Sequence, residues 1–226
     1  EDGVVDIAII GENLLIEKEK KIEIIEKLGF SKCRVSLAVS KDVTDESLNY
    51  FQGKRIATSY PNTVKSFFQK NGIEADIHVI SGSVEIAPSI GLAEGICDIV
   101  SSGSTLFNNG LKETQVILKS EAVLAKSKIL SNEKEEILSQ LLFRIKSILS
   151  AKNTKYILMN VPNENIEKVS SILPVMKSPT ILPLIEEGWS SLHSVIKEDE
   201  FWEVINQLKE AGAENILIVP IDKMVM

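Results

Sequence analysis

Asp98-Ile99-Val100-Ser101-Ser102-Gly103-Ser104-Thr105-Leu106 runs from an apolar strand into a loop of small hydroxyl residues around one glycine. An acid, Asp98, heads the stretch. Such a loop can wrap a phosphate. Its backbone N–H groups can turn inward, Gly103 tolerates φ > 0, and the hydroxyls of Ser101, Ser102, Ser104 and Thr105 add donors. The same composition also makes ordinary turns, so the flanking chain decides between the two.

Upstream, Lys54-Arg55-Ile56-Ala57-Thr58-Ser59-Tyr60-Pro61 reads as a strand opening into a hydroxyl-rich turn. Asn62 is expected to cap the next helix, where Val64, Phe67 and Phe68 fall at helical spacing before Asn71-Gly72. Ile77 to Ile80 is a short strand followed by Ser81-Gly82-Ser83. Ile90 and Ala93 then continue a helical face, with Pro88 near its first turn. Residues 54–106 therefore read strand, helix, strand, helix, strand: two βαβ units and a parallel sheet. Three strand ends carry small polar turns, and adjacent strands would bring them to one rim, where ligands of open α/β sheets gather.

Further out, Val4 to Ile10 is a near-continuous apolar run, as expected of a parallel strand covered on both faces. Gly11-Glu12-Asn13 follows at its carboxyl end. Lys18 to Leu28 reads as a short helix with Ile22, Ile25 and Leu28 on one face, stopped by Gly29. Cys33 to Ser40 alternates as a strand. Glu1-Asp2-Gly3 enters the first strand without a start methionine, so a segment missing upstream is expected. Downstream, Thr114 to Ala125 is β-rich and Asn132 to Ala151 is an amphipathic helix. Its buried stripe is expected at Ile137, Leu138, Leu141, Leu142, Ile145, Ile148 and Leu149. From Lys155 onward the order is βαββαβ, a ferredoxin-like unit.

The totals narrow the function. The chain has 226 residues, net charge -7 and 44% hydrophobic residues. That balance argues against broad nucleic-acid binding, which needs a basic face. Cys33 and Cys97 form no CxxC pair, and both read as buried thiols of a reducing cytosol. No run reaches the length of a membrane span, and no signal peptide is visible. The localisation expected is cytoplasmic.

The run Glu85-Ile86-Ala87-Pro88-Ser89-Ile90-Gly91-Leu92-Ala93-Glu94-Gly95-Ile96-Cys97-Asp98-Ile99-Val100-Ser101-Ser102-Gly103-Ser104-Thr105-Leu106 resembles the signature of the ATP phosphoribosyltransferases. Asp6 to Gly11, Gly53 to Pro61, Ser178-Pro179-Thr180 and Trp189 to Ile196 agree with it. The resemblance covers essentially the whole chain and points to the long form, with a histidine-binding C-terminal domain. It implies an α/β fold with a bilobal, periplasmic-binding-protein-like (type II) catalytic part and a ferredoxin-like (ACT-like) regulatory domain. Residues 1–45 with 109–151 would form lobe I, 46–108 lobe II with the phosphoribosyl loop, and 152–226 the regulatory domain.

The implied reaction is the first of histidine biosynthesis. It joins N1 of the ATP adenine to C1 of 5-phosphoribosyl 1-pyrophosphate and expels pyrophosphate, with Mg²⁺ carried mainly by the pyrophosphate. By the same resemblance Ser101, Ser102, Gly103, Ser104 and Thr105 cradle the 5-phosphate. Asp98 and Glu85 face the ribose, where a carboxylate can stabilise an oxocarbenium-like C1. Tyr60 meets the adenine, Gly11 lies at the substrate edge, and Arg55 faces a polyphosphate. Such chemistry can run on positioning and charge stabilisation without a protein nucleophile. No protein-only metal site is expected. His78 and His193, both in strands, read as structural. Histidine, the feedback inhibitor, is expected at Asn160, Met176, Thr180, Val195 and Asn215, and a dimer or hexamer is expected. The family's amino-terminal segment, with its Lys/Arg-bearing loop, has no counterpart before Glu1. The competing reading is a bilobal ligand-binding or regulatory protein without catalysis.

Overall fold

The elements that position the site lie in residues 1–131, as two sheets and the helices beside them. The computed structural model describes residues 5–19, 22–173 and 178–225, and the chain divides into units 1–131 and 132–226. In chain order the first unit holds β1 (Ile7–Gly11), α1 (Glu12–Glu17), β2 (Glu23–Lys27), β3 (Cys33–Ser40), β4 (Arg55–Thr58) and α2 (Pro61–Lys70). It continues with β5 (Asp76–Val79), β6 (Gly95–Val100), α3 (Ser104–Asn108), β7 (Leu111–Ser120) and β8 (Ala122–Lys126). The five-stranded sheet has the order β5-β4-β6-β3-β7, and the three-stranded sheet the order β1-β8-β2.

The five-stranded sheet is covered on both faces, and the strand sequences show why. Along β3, Val35, Leu37 and Val39 enter one apolar cluster with Phe51, Ile56, Val64, Phe68 and Cys97. Ala38 points the other way, toward Ala57, Val84, Ala87, Ile96 and Leu106. Alternate residues of a strand leave opposite faces, so where both faces are covered the strand is apolar on both, as at Leu37, Ala38 and Val39. Val64 and Phe68, four apart on α2, lie on the helix side that meets the sheet.

β4 runs parallel to β5 and to β6. The carboxyl ends of these three strands are therefore neighbours, as the βαβ reading requires. β3 is antiparallel to β6 and to β7.

Several expectations need correction. β1 pairs antiparallel with β8, and Ile9 is 62% exposed, so the first strand is neither parallel nor covered on both faces. Within Lys18–Leu28 lies the strand β2, not a helix; Ile24 and Ile25 favour strand, and β2 pairs with β8 across a register shift between Ile24 and Glu26. The helix expected around Pro88–Ala93 is reduced to a 3₁₀ turn at Val84–Ile86. Pro88 lacks an amide hydrogen, and Gly91 at φ +73° stops any continuation. Cys33–Ser40 and Leu111–Ser120, expected in lobe I, pair instead with β6 and each other in the sheet of lobe II. Residues 132–151 group with the second unit.

That second unit contains α4 (Asn132–Ala151), β9 (Thr154–Pro162), α5 (Ile166–Ile172), β10 (Thr180–Pro183), β11 (Trp189–Lys197), α6 (Glu198–Glu210) and β12 (Glu214–Pro220). Its sheet order, β10-β11-β9-β12, is antiparallel throughout, the ferredoxin-like arrangement. Ile157, Met159, Val161, Leu192, Phe201 and Leu208 form its core. On α4 the expected buried stripe is only partly realised: Leu138 is buried, whereas Ile137 and Ile148 are exposed.

Candidate functional site

The carboxyl ends of β4, β5 and β6 present Thr58-Ser59-Tyr60, Ser81-Gly82-Ser83 and Ser101 to Thr105 on one edge of the sheet. Each turn has a local cause. Thr58 is fully buried; its hydroxyl donates to the Cys97 carbonyl at 2.6 Å and accepts the Tyr60 amide hydrogen at 2.8 Å. That pair of bonds ties β4 to β6 and turns the chain toward α2. Gly82 and Ser83 both take positive φ, +78° and +50°. A serine in that region is uncommon, and it sets the 3₁₀ turn that carries Glu85. Gly103 sits at φ +85°, ψ -1° at the start of α3, so the loop needs glycine there. The Ser102 and Ser104 hydroxyls lie 2.9 Å apart, and the Phe107 amide donates to the Gly103 carbonyl at 3.0 Å. The loop's serines and Thr105 remain largely solvent-facing.

Asp98 and Glu85 meet at this edge electrostatically. Burial pushes the Asp98 carboxyl above its usual range, and the nearby Glu85 charge adds to that. The Ile99 amide, at 2.8 Å, and Ser59 pull it partly back. A half-buried carboxylate with a second acid beside it is a local centre of negative potential, suited to a developing positive charge. Tyr60 is half-buried at the same edge; burial raises its phenol pKa, and the Asp98 charge adds to the shift.

α1 reaches this edge from the other sheet. Asn13 Nδ2 donates to the Tyr60 hydroxyl at 3.0 Å. Asn13 is itself locked by Ser120, whose hydroxyl accepts the Asn13 backbone N–H at 2.9 Å and donates to Asn13 Oδ1 at 2.8 Å. Gly11 makes room for this: a Cβ there would stand 2.5 Å from Asn13 Oδ1. Gly11 thus supports the site through Asn13.

One turn further along α1, the buried Glu17 carboxylate accepts the backbone N–H groups of Asn62 and Thr63 at 3.0 and 2.9 Å and the Thr63 hydroxyl at 2.8 Å. The cap of α2 is therefore Glu17. Asn62, expected as the cap, lies inside the helix and donates its amide to the Glu17 carbonyl at 2.9 Å.

The start of the 101–105 loop is held from β3. Arg34 Nη1 donates to the Ser101 carbonyl at 2.8 Å, while Nε and Nη2 bind both oxygens of Glu113 at 2.6 Å. Ser36 donates to the same carboxylate at 2.7 Å. The guanidinium and Ser36 hold the Glu113 carboxyl below its usual range. Asn13 lies in the Gly11–Asn13 turn expected at the substrate edge, whereas Glu17, Arg34, Glu113 and Ser120 were not among the expected site residues. Arg34 and Ser36 did carry a signal: two polar residues at alternate positions of an otherwise apolar strand need polar partners.

Arg55 is not brought to the site. It begins β4, at the opposite end of the sheet, and its guanidinium pairs with Glu94, whose carboxyl is pulled down to about 2 by that hydrogen bonding. In the second unit, cross-strand register sets Asn160 opposite Ser191, Val195 opposite Tyr156 and Thr180 opposite His193. All lie on the sheet face turned away from the Ile157–Met159–Leu192 core. Asn215, at φ +49°, sits in the irregular pairing of β12. Met176 lies outside the described residues. Tyr156 and Ser191 hydroxyls hold the two His193 ring nitrogens at 2.8 and 2.9 Å.

Known proteins resemble this chain over nearly its whole length. The family model described as ATP phosphoribosyltransferase matches residues 1–147, and that of the HisG C-terminal domain matches residues 151–223. An ATP phosphoribosyltransferase of Phocaeicola vulgatus is 55% identical over 99% of this chain and 79% of its own. One from Cytophaga hutchinsonii is 57% identical over 99% and 78%. Among solved structures, the ATP phosphoribosyl transferase (HisG:HisZ) complex from Thermotoga maritima aligns with TM-score 0.57 and 29% identity, over 64% of this chain and 70% of that one. The chloride-bound XAC2383 of Xanthomonas citri shares the fold at TM-score 0.50 and 14% identity, over 62% and 63%.

Proposed function

The chain belongs to the ATP phosphoribosyltransferase family, and from that premise we propose how its own residues carry the reaction. The enzyme catalyses the first step of histidine biosynthesis. The bond between C1 of the ribose and the pyrophosphate oxygen breaks, the bond from adenine N1 to C1 forms, and pyrophosphate leaves. The 5-phosphate rests in the Ser101–Thr105 loop, on backbone N–H groups that Gly103 frees and hydroxyls that line them. Asp98, with Glu85 behind it, faces the ribose and stabilises positive charge growing at C1. Tyr60, held by Asn13, orients the adenine. The observation that carries this reading is the convergence of three hydroxyl-rich strand ends and two carboxylates on one sheet edge.

Mg²⁺ would be carried mainly by the diphosphate, which with water would supply its oxygen ligands. Among the described residues, no group of three or more His, Cys, Asp and Glu is placed to hold a metal by itself. When bound, Mg²⁺ neutralises charge on the leaving diphosphate. Histidine, as feedback inhibitor, binds the open face of the C-terminal sheet through Asn160, Thr180, Val195 and Asn215. The enzyme acts in the cytoplasm as a homo-oligomer. Among the described residues no helix is long and apolar enough to cross a membrane.

The test is pyrophosphate release from ATP, 5-phosphoribosyl 1-pyrophosphate and Mg²⁺. Gly103→Val forces a β-branched side chain into φ +85° and is expected to abolish ribose 5-phosphate binding while the C-terminal unit stays folded. Retained ribose 5-phosphate affinity would refute the loop's role. Thr180→Ala is expected to relieve inhibition by histidine, and an unchanged inhibition curve would count against that face.

A further inference from the structure

A cavity of about 350 Å³ opens beside this edge, at the amino end of β3 and the carboxyl end of β7. Lys27, Lys32, Arg34 and Lys119 line it, with Glu12 and Glu121 as its carboxylates. Among the described residues, only Glu12 of the two is neutralised by a cation. Glu12 accepts from Lys27 at 3.0 Å, and Glu121 accepts the Gly29 amide hydrogen at 2.8 Å. Arg34 is committed to Glu113 and the Ser101 carbonyl. That leaves Lys32 and Lys119, both solvent-exposed, without an ion-pair partner among the described residues. On a chain of net charge -7, Lys32 and Lys119 against the single charge of Glu121 leave this cavity with a local positive excess that favours a compact anion.

The cavity shares its walls with the site. Arg34 lies directly across β3–β7 from Lys119, and its other face holds the first residue of the 101–105 loop. Ser120, also in the lining, is the residue that locks Asn13 beneath Tyr60. We infer that this cavity binds a diphosphate group through Lys32 and Lys119, next to the ribosyl and adenine positions. The inference rests on the loop assignment made above. A diphosphate reaches this edge from two sources, the phosphoribosyl donor and the phosphate tail of ATP.

Titration calorimetry of the 226-residue protein with inorganic pyrophosphate, without added Mg²⁺, tests it. Lys32→Ala and Lys119→Ala are each expected to weaken binding about fivefold, the double variant about twentyfold or more, and the salt dependence to flatten with each lysine removed. AMP affinity is expected to stay unchanged. A parallel loss for ATP assigns the cavity to the ATP tail, and an unchanged ATP affinity assigns it to the donor's diphosphate. Pyrophosphate affinity unaltered in the double variant, or absent from the wild type, overturns the inference. Ribose 5-phosphate is the separate control. Its loss in Gly103→Val with lysine-independent pyrophosphate binding leaves the loop standing and removes the cavity. The converse pattern keeps the cavity and removes the loop.

Discussion

At the residue scale, Asp98 and Glu94 show how the same side-chain chemistry serves opposite ends of one sheet. Asp98 is held half-buried with its carboxyl pKa raised by burial and by Glu85. Its ionisation therefore works against the fold: the penalty is absent at low pH, where both states are protonated, and complete above the raised pKa. Asp98→Asn is expected to raise the melting temperature at pH 7 by on the order of a few degrees while cutting turnover by about 100-fold or more. Paired melting curves and pyrophosphate-release rates read both, and unchanged turnover would remove Asp98 from the chemistry. Glu94 is the reverse case. Its carboxyl, hydrogen-bonded by the Arg55 guanidinium, is pulled down to about 2. Its contribution to stability is present above the ordinary carboxylate range and is lost as pH falls toward 2. Wild type and Glu94→Gln should differ most in melting temperature near neutrality and converge by about pH 2. A gap that persists at the acid end would break the link to this ion pair.

At the element scale, the short helix α1 is the piece whose role was hardest to foresee. Six residues long, it offers Asn13 to Tyr60 and, one turn on, Glu17 to the start of α2. Capping by a buried carboxylate from another element satisfies two backbone donors that α2 cannot pair internally. Glu17→Ala is expected to destabilise the protein by about 2 kcal/mol. Glu17→Gln should restore about half of that, since an amide oxygen still accepts; denaturant midpoints measure both. The three parallel strands and the first helix of the run from 54 to 106 were legible because apolar strands, helical spacing and polar strand ends all pointed to one arrangement, whereas its second helix was not, because Pro88 and Gly91 reduce it to a 3₁₀ turn. The segment around 7–28 was not. A strand buried on both faces and an edge strand with Ile9 largely exposed share the same apolar letters, and only pairing with β8 tells them apart. An isolated acid such as Glu17 likewise reads as a solvated charge until its partner, 45 residues away, is known.

At the scale of the whole molecule, each unit has its own apolar core. Ile157, Met159, Leu192 and Leu208 lie in one, and Val35, Leu37, Ile56 and Phe68 in the other. Two cores are expected to melt as two cooperative transitions, so the calorimetric enthalpy should exceed the van't Hoff enthalpy. A ratio of one would mean that the units unfold together. The βαββαβ order of the second unit was readable from element order alone, whereas the strands joining the lobes of the first were misassigned. β3 and β7 pair with strands distant in sequence, and no local pattern records such partners. The two cysteines offer a different kind of access to the same architecture. Cys97 lies wholly inside the five-stranded sheet, its thiol pushed far up by burial, while Cys33 at the sheet's rim is half-buried. A thiol-specific chromophore should therefore count one sulfur quickly and the second only as fast as the sheet itself opens. The chain thus carries an internal stopwatch for the lifetime of its closed sheet, with Cys33 at the cavity giving the fast count and Cys97 the slow one.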